Sequence, residues 1–308
     1  MRYHYANFSK DINDYDTNIR SRIWFSGKVN DNWNYVGMVQ NNQNLKDNAE
    51  NGATQFQRAY IEGRLGGMQV TAGRHDFQLG DANLYDTRMD GIKVSYGDKV
   101  KFGAYYGKPA DGLDLSNGLA LPNDVSYDRF FGANVGFETG KLSVNVAYDK
   151  FKDANLYLNG VKQLDISNAL SNNGVWSVQA TYDFGNASLG AIFLKSNVDL
   201  NTGGLVPNDN ASTKGYVITA TYGGAQADKV GSFGLVGKYY NQGVGTFIAH
   251  TMDGTAMNYL TEGFKGYSLA GYVTVAKNME AGLEWFDLKG KETDRKERTL
   301  WGQLVVSF

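Results

Sequence analysis

The 308-residue sequence contains no cysteine and only three prolines. Without cysteine, the chain cannot form disulfides or a thiolate zinc site, and it has no cysteine nucleophile. Its 30 basic and 32 acidic residues nearly cancel, so no basic surface for a nucleic-acid partner is indicated. No apolar run approaches the ~18–20 residues of a transmembrane helix, and no signal-peptide pattern opens the chain.

What the sequence does contain is alternation of apolar and polar residues. In residues 19–29, Ile19, Ile23 and Phe25 share one face of an extended strand, while Arg20 and Arg22 share the other. The pattern returns in residues 55–65, 141–149 and 278–287. About sixteen such segments of roughly 8–13 residues occur, close to the ~9–11 residues that a tilted strand needs to cross a bilayer.

The connections between these segments alternate in length. The short ones contain the Gly, Asn and Asp residues of two-residue hairpins, at 31–32, 66–67, 97–98, 139–140, 185–186 and 277–278, with a longer exception near 224–231. The long ones are polar and contain all three prolines, at 44–52, 76–90, 109–125, 152–173, 198–212, 242–262 and 289–297.

This asymmetry predicts one all-β domain over residues 1–308. We expect a transmembrane antiparallel β-barrel of about sixteen strands, with short periplasmic turns and long extracellular loops. A soluble β-sandwich or propeller would also alternate, but it does not predict the difference in loop length. Because a sheet in a bilayer must leave no open edge, we expect the strand at 298–308 to pair with residues 1–9.

Two parts of the chain resemble known proteins. The last strand looks like the C-terminal signature of bacterial outer-membrane proteins, which implies recognition of Phe308 by the barrel-assembly machinery. Residues 58–97 resemble general diffusion porins, with a turn at Gly66-Gly67, a strand ending in Gly73-Arg74, an acidic third loop, and then Asp90-Gly91-Ile92-Lys93-Val94. Together with the hairpin at 29–33, these details are most similar to the barrel of porins that carry an S-layer-homology domain.

The resemblance implies a homotrimer in the bacterial outer membrane that lets small hydrophilic solutes diffuse through a water-filled barrel. It also implies that the peptidoglycan-binding N-terminal region of such porins lies outside this chain. In similar porins the third loop folds inward and narrows the pore.

On this basis we expect two facing sets of charges in the lumen. The basic wall would consist of residues on the polar faces of the strands: Arg20, Arg22, Lys28, Arg58, Arg64, Arg74 and Lys93. The constricting loop would supply Asp76, Asp81, Asp86, Arg88 and Asp90. Charges of opposite sign across a constriction would orient polar solutes.

The sequence also allows other functions. The barrel could act mainly as a structural outer-membrane anchor whose tethering domain is missing here. It could also be a barrel hydrolase, although the approximate Gly-x-Ser-x-Gly motif around Ser268 has Ala270 in place of the last glycine. We predict no cofactor, with calcium an alternative at acidic loop residues, namely Asp11, Asp14 and Asp16, or Asp111 and Asp114.

Overall fold

The structure, a computed structural model, describes residues 1–46, 52, 54–110, 113–114, 124–158, 161–162, 172–200, 210–250, 252 and 262–308. Over these residues the chain is all-β. The strands are β1 (Arg2–Lys10), β2 (Asp14–Asn30), β3 (Trp33–Asn44), β4 (Thr54–Leu65), β5 (Met68–Leu79), β6 (Tyr85–Tyr96), β7 (Val100–Pro109), β8 (Leu113–Asp114), β9 (Asp124–Thr139), β10 (Leu142–Leu158), β11 (Val161–Lys162), β12 (Asn172–Asp183), β13 (Ala187–Ser196), β14 (Lys214–Gly223), β15 (Phe233–Gln242), β16 (Ala249–His250), β17 (Phe264–Ala276), β18 (Met279–Gly290) and β19 (Lys296–Val306).

Three of these strands, β8, β11 and β16, have two residues each, and the other sixteen form one closed antiparallel sheet. Closure occurs where β1 pairs with both β2 and β19, so that Arg2 lies opposite Arg20 on one side and Val305 on the other. The N-terminal amino group also donates to the Val306 carbonyl oxygen at 2.7 Å. The predicted strand number and the pairing of the two chain ends are confirmed.

No helix long and apolar enough to cross a membrane occurs in the described part of the chain.

The predicted difference between the two ends of the barrel is also present. The links at 31–32, 66–67 and 277–278 are two-residue turns, and the exception near 224–231 is a longer link at 224–232. The turn predicted at 139–140 lies one residue later, at 140–141, while the links at 97–99 and 184–186 have three residues. At the other end, most of 110–123, 159–171 and 197–213 lies outside the described residues, including Asp111, as do 251 and 253–261 within the link 243–263.

One predicted long loop is wrong. Residues 76–90 are not a loop, because β5 continues to Leu79 and β6 begins at Tyr85, which leaves a link of residues 80–84. The acidic residues of this stretch instead alternate along two paired strands, with Asp76 opposite Arg88 and Asp90 opposite Arg74. These cross-strand charge pairs compensate for the low strand propensity of aspartate.

The outer face of the barrel is apolar. On β13, Leu189 and Phe193 are about half exposed on the outside, while Ile192 and Leu194 between and beyond them are buried inside. The same arrangement leaves many large apolar side chains exposed around the barrel, such as Trp176, Leu235 and Leu283. An exposed apolar surface of this extent requires a covering, and a lipid bilayer supplies one.

The inside of the barrel contains an apolar core as well as polar groups. Phe130 on β9 is fully buried, stacks parallel to Phe151 of β10 with ring centroids 5.5 Å apart, and lies 5.1 Å from the ring of Tyr85. Met89, Phe264 and Leu288 are buried in the same cluster. Side chains from well-separated strands therefore fill part of the lumen.

Phe130→Ala should lower the free energy of unfolding in detergent by about 3–5 kcal/mol, because it leaves a cavity among packed rings. The neighbouring Phe131 is 38% exposed on the outer face and provides the matched control. Phe131→Ala should lower the free energy of unfolding by less, since detergent fills the space that the ring leaves. Denaturant titrations of both variants would measure this difference, and equal losses would contradict an apolar core inside the barrel.

Candidate functional site

The ends of β5 and β6 leave the barrel wall together as a hairpin. Pairing between β4 and β5 stops at Ala59 and Arg74, and pairing between β6 and β7 starts at Met89 and Pro109. The pairing of β5 with β6 continues beyond these points as far as Leu79. Residues 75–88, which we call the inner hairpin, therefore extend away from their neighbours in the wall.

Glycines at the base of the inner hairpin permit this departure. Gly73 has φ +118°, and a Cβ there would collide with the Ala59 carbonyl group on β4. A Cβ on Gly91 would meet the backbone of Gly107 at 2.6 Å on β7. The register of β5 against β4 continues through Gly73 without a shift, so the bend depends on backbone conformation at a glycine and not on an inserted residue.

The tip of the inner hairpin reaches the opposite wall. The Asn83 carbonyl oxygen accepts a hydrogen bond from Gln242 Nε2 at 2.9 Å, and the Leu84 carbonyl oxygen accepts one from the Ile248 amide at 2.9 Å. The two-residue strand β16 adds a short parallel pairing with Tyr85 and Asp86. The inner hairpin thus crosses the interior of the barrel.

Asp81, which the sequence placed in a constricting loop, lies at this tip. Its side chain keeps contact with solvent, but the enclosing lumen partly desolvates the carboxyl group and so raises its pKa, while Lys238 opposes the rise. Asp81 is the only one of the five predicted loop residues that lies between the two strands; the others lie on β5 or β6.

The polar face of the inner hairpin meets the basic wall. Asp76 forms an ion pair with Arg58 of β4, whose side chain is only 7% exposed. Next to this pair lies a cavity of about 290 Å³. Its charged lining consists of Arg2, Arg20, Arg22 and Arg58 from the wall, and Asp76, Asp86 and Arg88 from the inner hairpin. Five guanidinium groups and two carboxylates therefore surround one space, which we call the arginine cavity.

Polar contacts hold several of these groups in place. Arg22 Nε donates to Gln40 Oε1 at 2.7 Å on the neighbouring strand. At the base of the inner hairpin, Arg74 makes a two-pronged ion pair with Asp90, with both N–O distances 2.6 Å. Two parallel contacts of this kind fix the orientation of the guanidinium group relative to the carboxylate.

The remaining predicted wall residues lie elsewhere. Lys28 contacts Asp31 at 2.8 Å in the short turn, and Arg64 is exposed near the end of β4. Lys93 lies on the other side of the inner hairpin, with its ammonium group 6.0 Å from the centre of the Phe77 ring. The structure thus brings Arg20, Arg22 and Arg58 together and separates Lys28, Arg64 and Lys93 from them.

Sequence reasoning missed Arg2. It lines the arginine cavity because β1 closes the barrel next to β2, where Arg2 lies opposite Arg20. The sequence did contain a signal for it. The predicted pairing of the chain ends puts the first strand in the barrel wall, so a polar residue of that strand such as Arg2 could have been assigned to the lumen.

Three of the acidic residues considered for calcium have other partners. Asp14 contacts Lys46 at 2.5 Å, Asp16 contacts His4 at 2.9 Å, and Asp11 accepts a hydrogen bond from the Lys296 amide at 2.7 Å. Among the described residues, no group of three or more histidine, aspartate or glutamate side chains could hold a metal ion. Asp111 lies outside those residues, so the calcium alternative there is untested.

Comparison with known proteins identifies the fold. No protein-family model matches the chain, and no curated protein does. Among solved structures, a double mutant of the Rh. blastica porin has TM-score 0.55 at 12% identity, covering 99% of this chain and 96% of that one. A loop-deletion mutant of OmpT, an outer membrane protein of Vibrio cholerae, has TM-score 0.57 at 16% identity, with 99% and 96% coverage. Salmonella typhi OmpF in complex with daunomycin has TM-score 0.61 at 12% identity, with 98% and 94% coverage.

The position of the inner hairpin can be tested by cross-linking, since the chain has no native cysteine. Asp81→Cys combined with Lys238→Cys should react with a short bismaleimide to give a looped chain of altered gel mobility after unfolding. The control, Asp81→Cys combined with Asp183→Cys, places the second thiol next to a short turn and should give no loop. Equal cross-linking in both pairs would contradict a tip docked on β15.

At identities of 12–16% the likeness extends to the fold alone, and the chain has the sixteen-stranded barrel fold of bacterial porins.

Proposed function

We propose that this chain is an outer-membrane porin through which small hydrophilic solutes and ions diffuse passively. The observation that carries the proposal is the arginine cavity, where the inner hairpin faces the basic wall inside a closed sixteen-stranded barrel. A barrel of this strand number leaves room for an aqueous channel unless something fills it. In this proposal the inner hairpin narrows the channel and the charges on its two sides set up a transverse field.

The charges of the arginine cavity favour anions over cations. Five arginines outnumber two aspartates, and Asp76 is held in an ion pair with Arg58. An anion passing this point is attracted by the remaining guanidinium groups, while a neutral polar solute is limited mainly by the width. We therefore expect weak anion preference, without bound cofactor or covalent chemistry.

The outer surface supports a location in the bacterial outer membrane. Its apolar side chains suit a lipid bilayer, and exposed tyrosines near strand ends, such as Tyr182 and Tyr222, suit the headgroup level. The proposal has three further parts: the chain forms a homotrimer, the assembly machinery recognises Phe308, and the chain is related to porins with an S-layer-homology domain. Phe308 is 99% exposed beyond the end of β19, where a partner could reach it.

One observation favours the second candidate, a structural anchor. The apolar face of the inner hairpin packs against the wall, with Tyr85, Met89 and Phe130 fully buried, and so part of the lumen is filled. If that filling leaves no continuous water path, the barrel conducts poorly and membrane anchoring becomes its main role. The hydrolase alternative gains no comparable support, since the Ser268 hydroxyl group is 3.3 Å from the Tyr240 hydroxyl group within the sheet.

Single-channel recording in a planar bilayer tests the two candidates. A porin should give stable open-channel conductance, and in a salt gradient its reversal potential should indicate weak anion preference. Correctly folded protein without conductance would overturn the porin proposal and favour the anchor.

Replacing Arg20 and Arg22 together with glutamine should raise the ratio of K⁺ to Cl⁻ permeability several-fold. Each guanidinium group removed takes away on the order of 1 kcal/mol of attraction for an adjacent anion in water. The control removes the same charge at two exposed residues of short turns, with Lys141→Gln and Lys277→Gln. A reversal potential that shifts equally in both double variants would show that the arginine cavity does not set the selectivity.

A further inference from the structure

A second cavity lies on the other side of the inner hairpin. It has a volume of about 310 Å³ and is bounded by the inner hairpin and by strands β6, β7, β9, β10 and β12. That volume is at the lower end of the range for pockets that hold small molecules. We call it the aspartate pocket, after Asp149 in its wall.

Asp149 is the unusual group of this pocket. It is 1% exposed, and its Oδ1 accepts a hydrogen bond from the Tyr105 hydroxyl group at 2.9 Å. Its Oδ2 is buried without a hydrogen-bond partner. An unpaired buried carboxyl oxygen is costly, and a ligand that donates a hydrogen bond to it removes that cost.

Neutral amides and aromatic rings supply the rest of the recognition surface. Asn134 Nδ2 donates to Asn145 Oδ1 at 2.8 Å, which engages only one donor and one acceptor of this amide pair, and Gln179 adds a third amide. The rings of Phe77 and Tyr105 lie beside them with centroids 4.6 Å apart. This surface matches a ring-shaped polyol. The hydroxyl groups of a polyol both donate and accept hydrogen bonds, which suits the amides and the Asp149 carboxyl group, and its C–H groups pack on aromatic rings.

The charges of the aspartate pocket favour a neutral ligand. Two lysines, Lys93 and Lys101, are matched by two aspartates, Asp81 and Asp149. Lys101 is further held by Glu138 at 2.8 Å. The arginine cavity, in contrast, has an excess of three positive charges in its lining. The inner hairpin therefore separates a cationic space from one in which formal charges balance.

We propose that the aspartate pocket binds a small neutral polyhydroxylated solute about the size of one sugar ring. This inference rests on the proposed function, because the solute reaches the pocket through the lumen. Binding there would raise the local concentration of neutral polyols beside the channel, which a barrel selecting only by width would not do.

Binding of methyl α-glucoside to the detergent-folded full chain, followed by saturation-transfer NMR with titration, tests the proposal. Asp149→Asn keeps the volume and, through its amide oxygen, the Tyr105 contact, but it replaces the unpartnered oxygen Oδ2 by an amide donor, so binding should weaken about tenfold. The control is Asp183→Asn, the same change at an exposed carboxylate that hydrogen-bonds a turn amide. It should bind like the unaltered chain.

Ala147→Leu provides a second variant that keeps every polar group. Ala147 lines the pocket and is 7% exposed, so a larger side chain should occupy the space and reduce glucoside binding at least tenfold. Heat-modified gel mobility would show that each variant is folded. Absence of binding to the unaltered chain, or equal binding by all folded variants, would overturn the proposal.

Two further results separate this inference from the porin proposal. Conductance without glucoside binding would refute the pocket and leave the porin, whereas glucoside binding that depends on Asp149 without conductance would refute the porin and leave the pocket. Ethylammonium that displaces the glucoside and binds more tightly would overturn the assignment to a neutral solute.

Discussion

The closed hydrogen-bonded ring of strands is the constraint on which the rest of this protein depends. In an apolar solvent no backbone donor or acceptor can be left to water, so the first and last strands must meet. The pairing of β1 with β19 satisfies this requirement along the full length of β1. Closure also brings Arg2 next to Arg20, so the same pairing that removes the sheet edges completes the basic wall.

Closure creates an interior that must be occupied either by side chains or by water. The inner hairpin contributes to both, because one of its faces packs in the apolar core and the other lines a cavity. Its side chains alternate, so one face presents Phe77 and Tyr85 to the apolar core while the other presents Asp76 and Arg88 to the arginine cavity. A loop without regular alternation could not separate the two environments so sharply. The departure from the wall depends on glycine, because Gly73 adopts a backbone conformation that other residues rarely take.

The same alternation explains one wrong prediction. In the wall strands, polar residues face the lumen and apolar residues face outward. This alternation is visible in residues 19–29 and predicts a strand there. In the inner hairpin neither face meets lipid, so the dense charges between Asp76 and Asp90 looked like a loop. The segment whose tip contacts Gln242 and Ile248 is a hairpin of two paired strands, where the sequence predicted a loop.

Alternating residues and the lengths of the links, both local features, were enough to predict an all-β closed barrel, its sixteen strands, the pairing of its ends and most of its turns. They also grouped Arg20, Arg22 and Arg58 in one basic wall, together with Lys28, Arg64, Arg74 and Lys93. Only the tertiary structure decided that Lys28, Arg64 and Lys93 lie apart from that set, that Arg2 joins it, and that Asp149 and Tyr105 share a second pocket. The physical reason is that strand periodicity assigns a side chain to a face, whereas its neighbours across a lumen depend on register, strand tilt and the path of the inner hairpin.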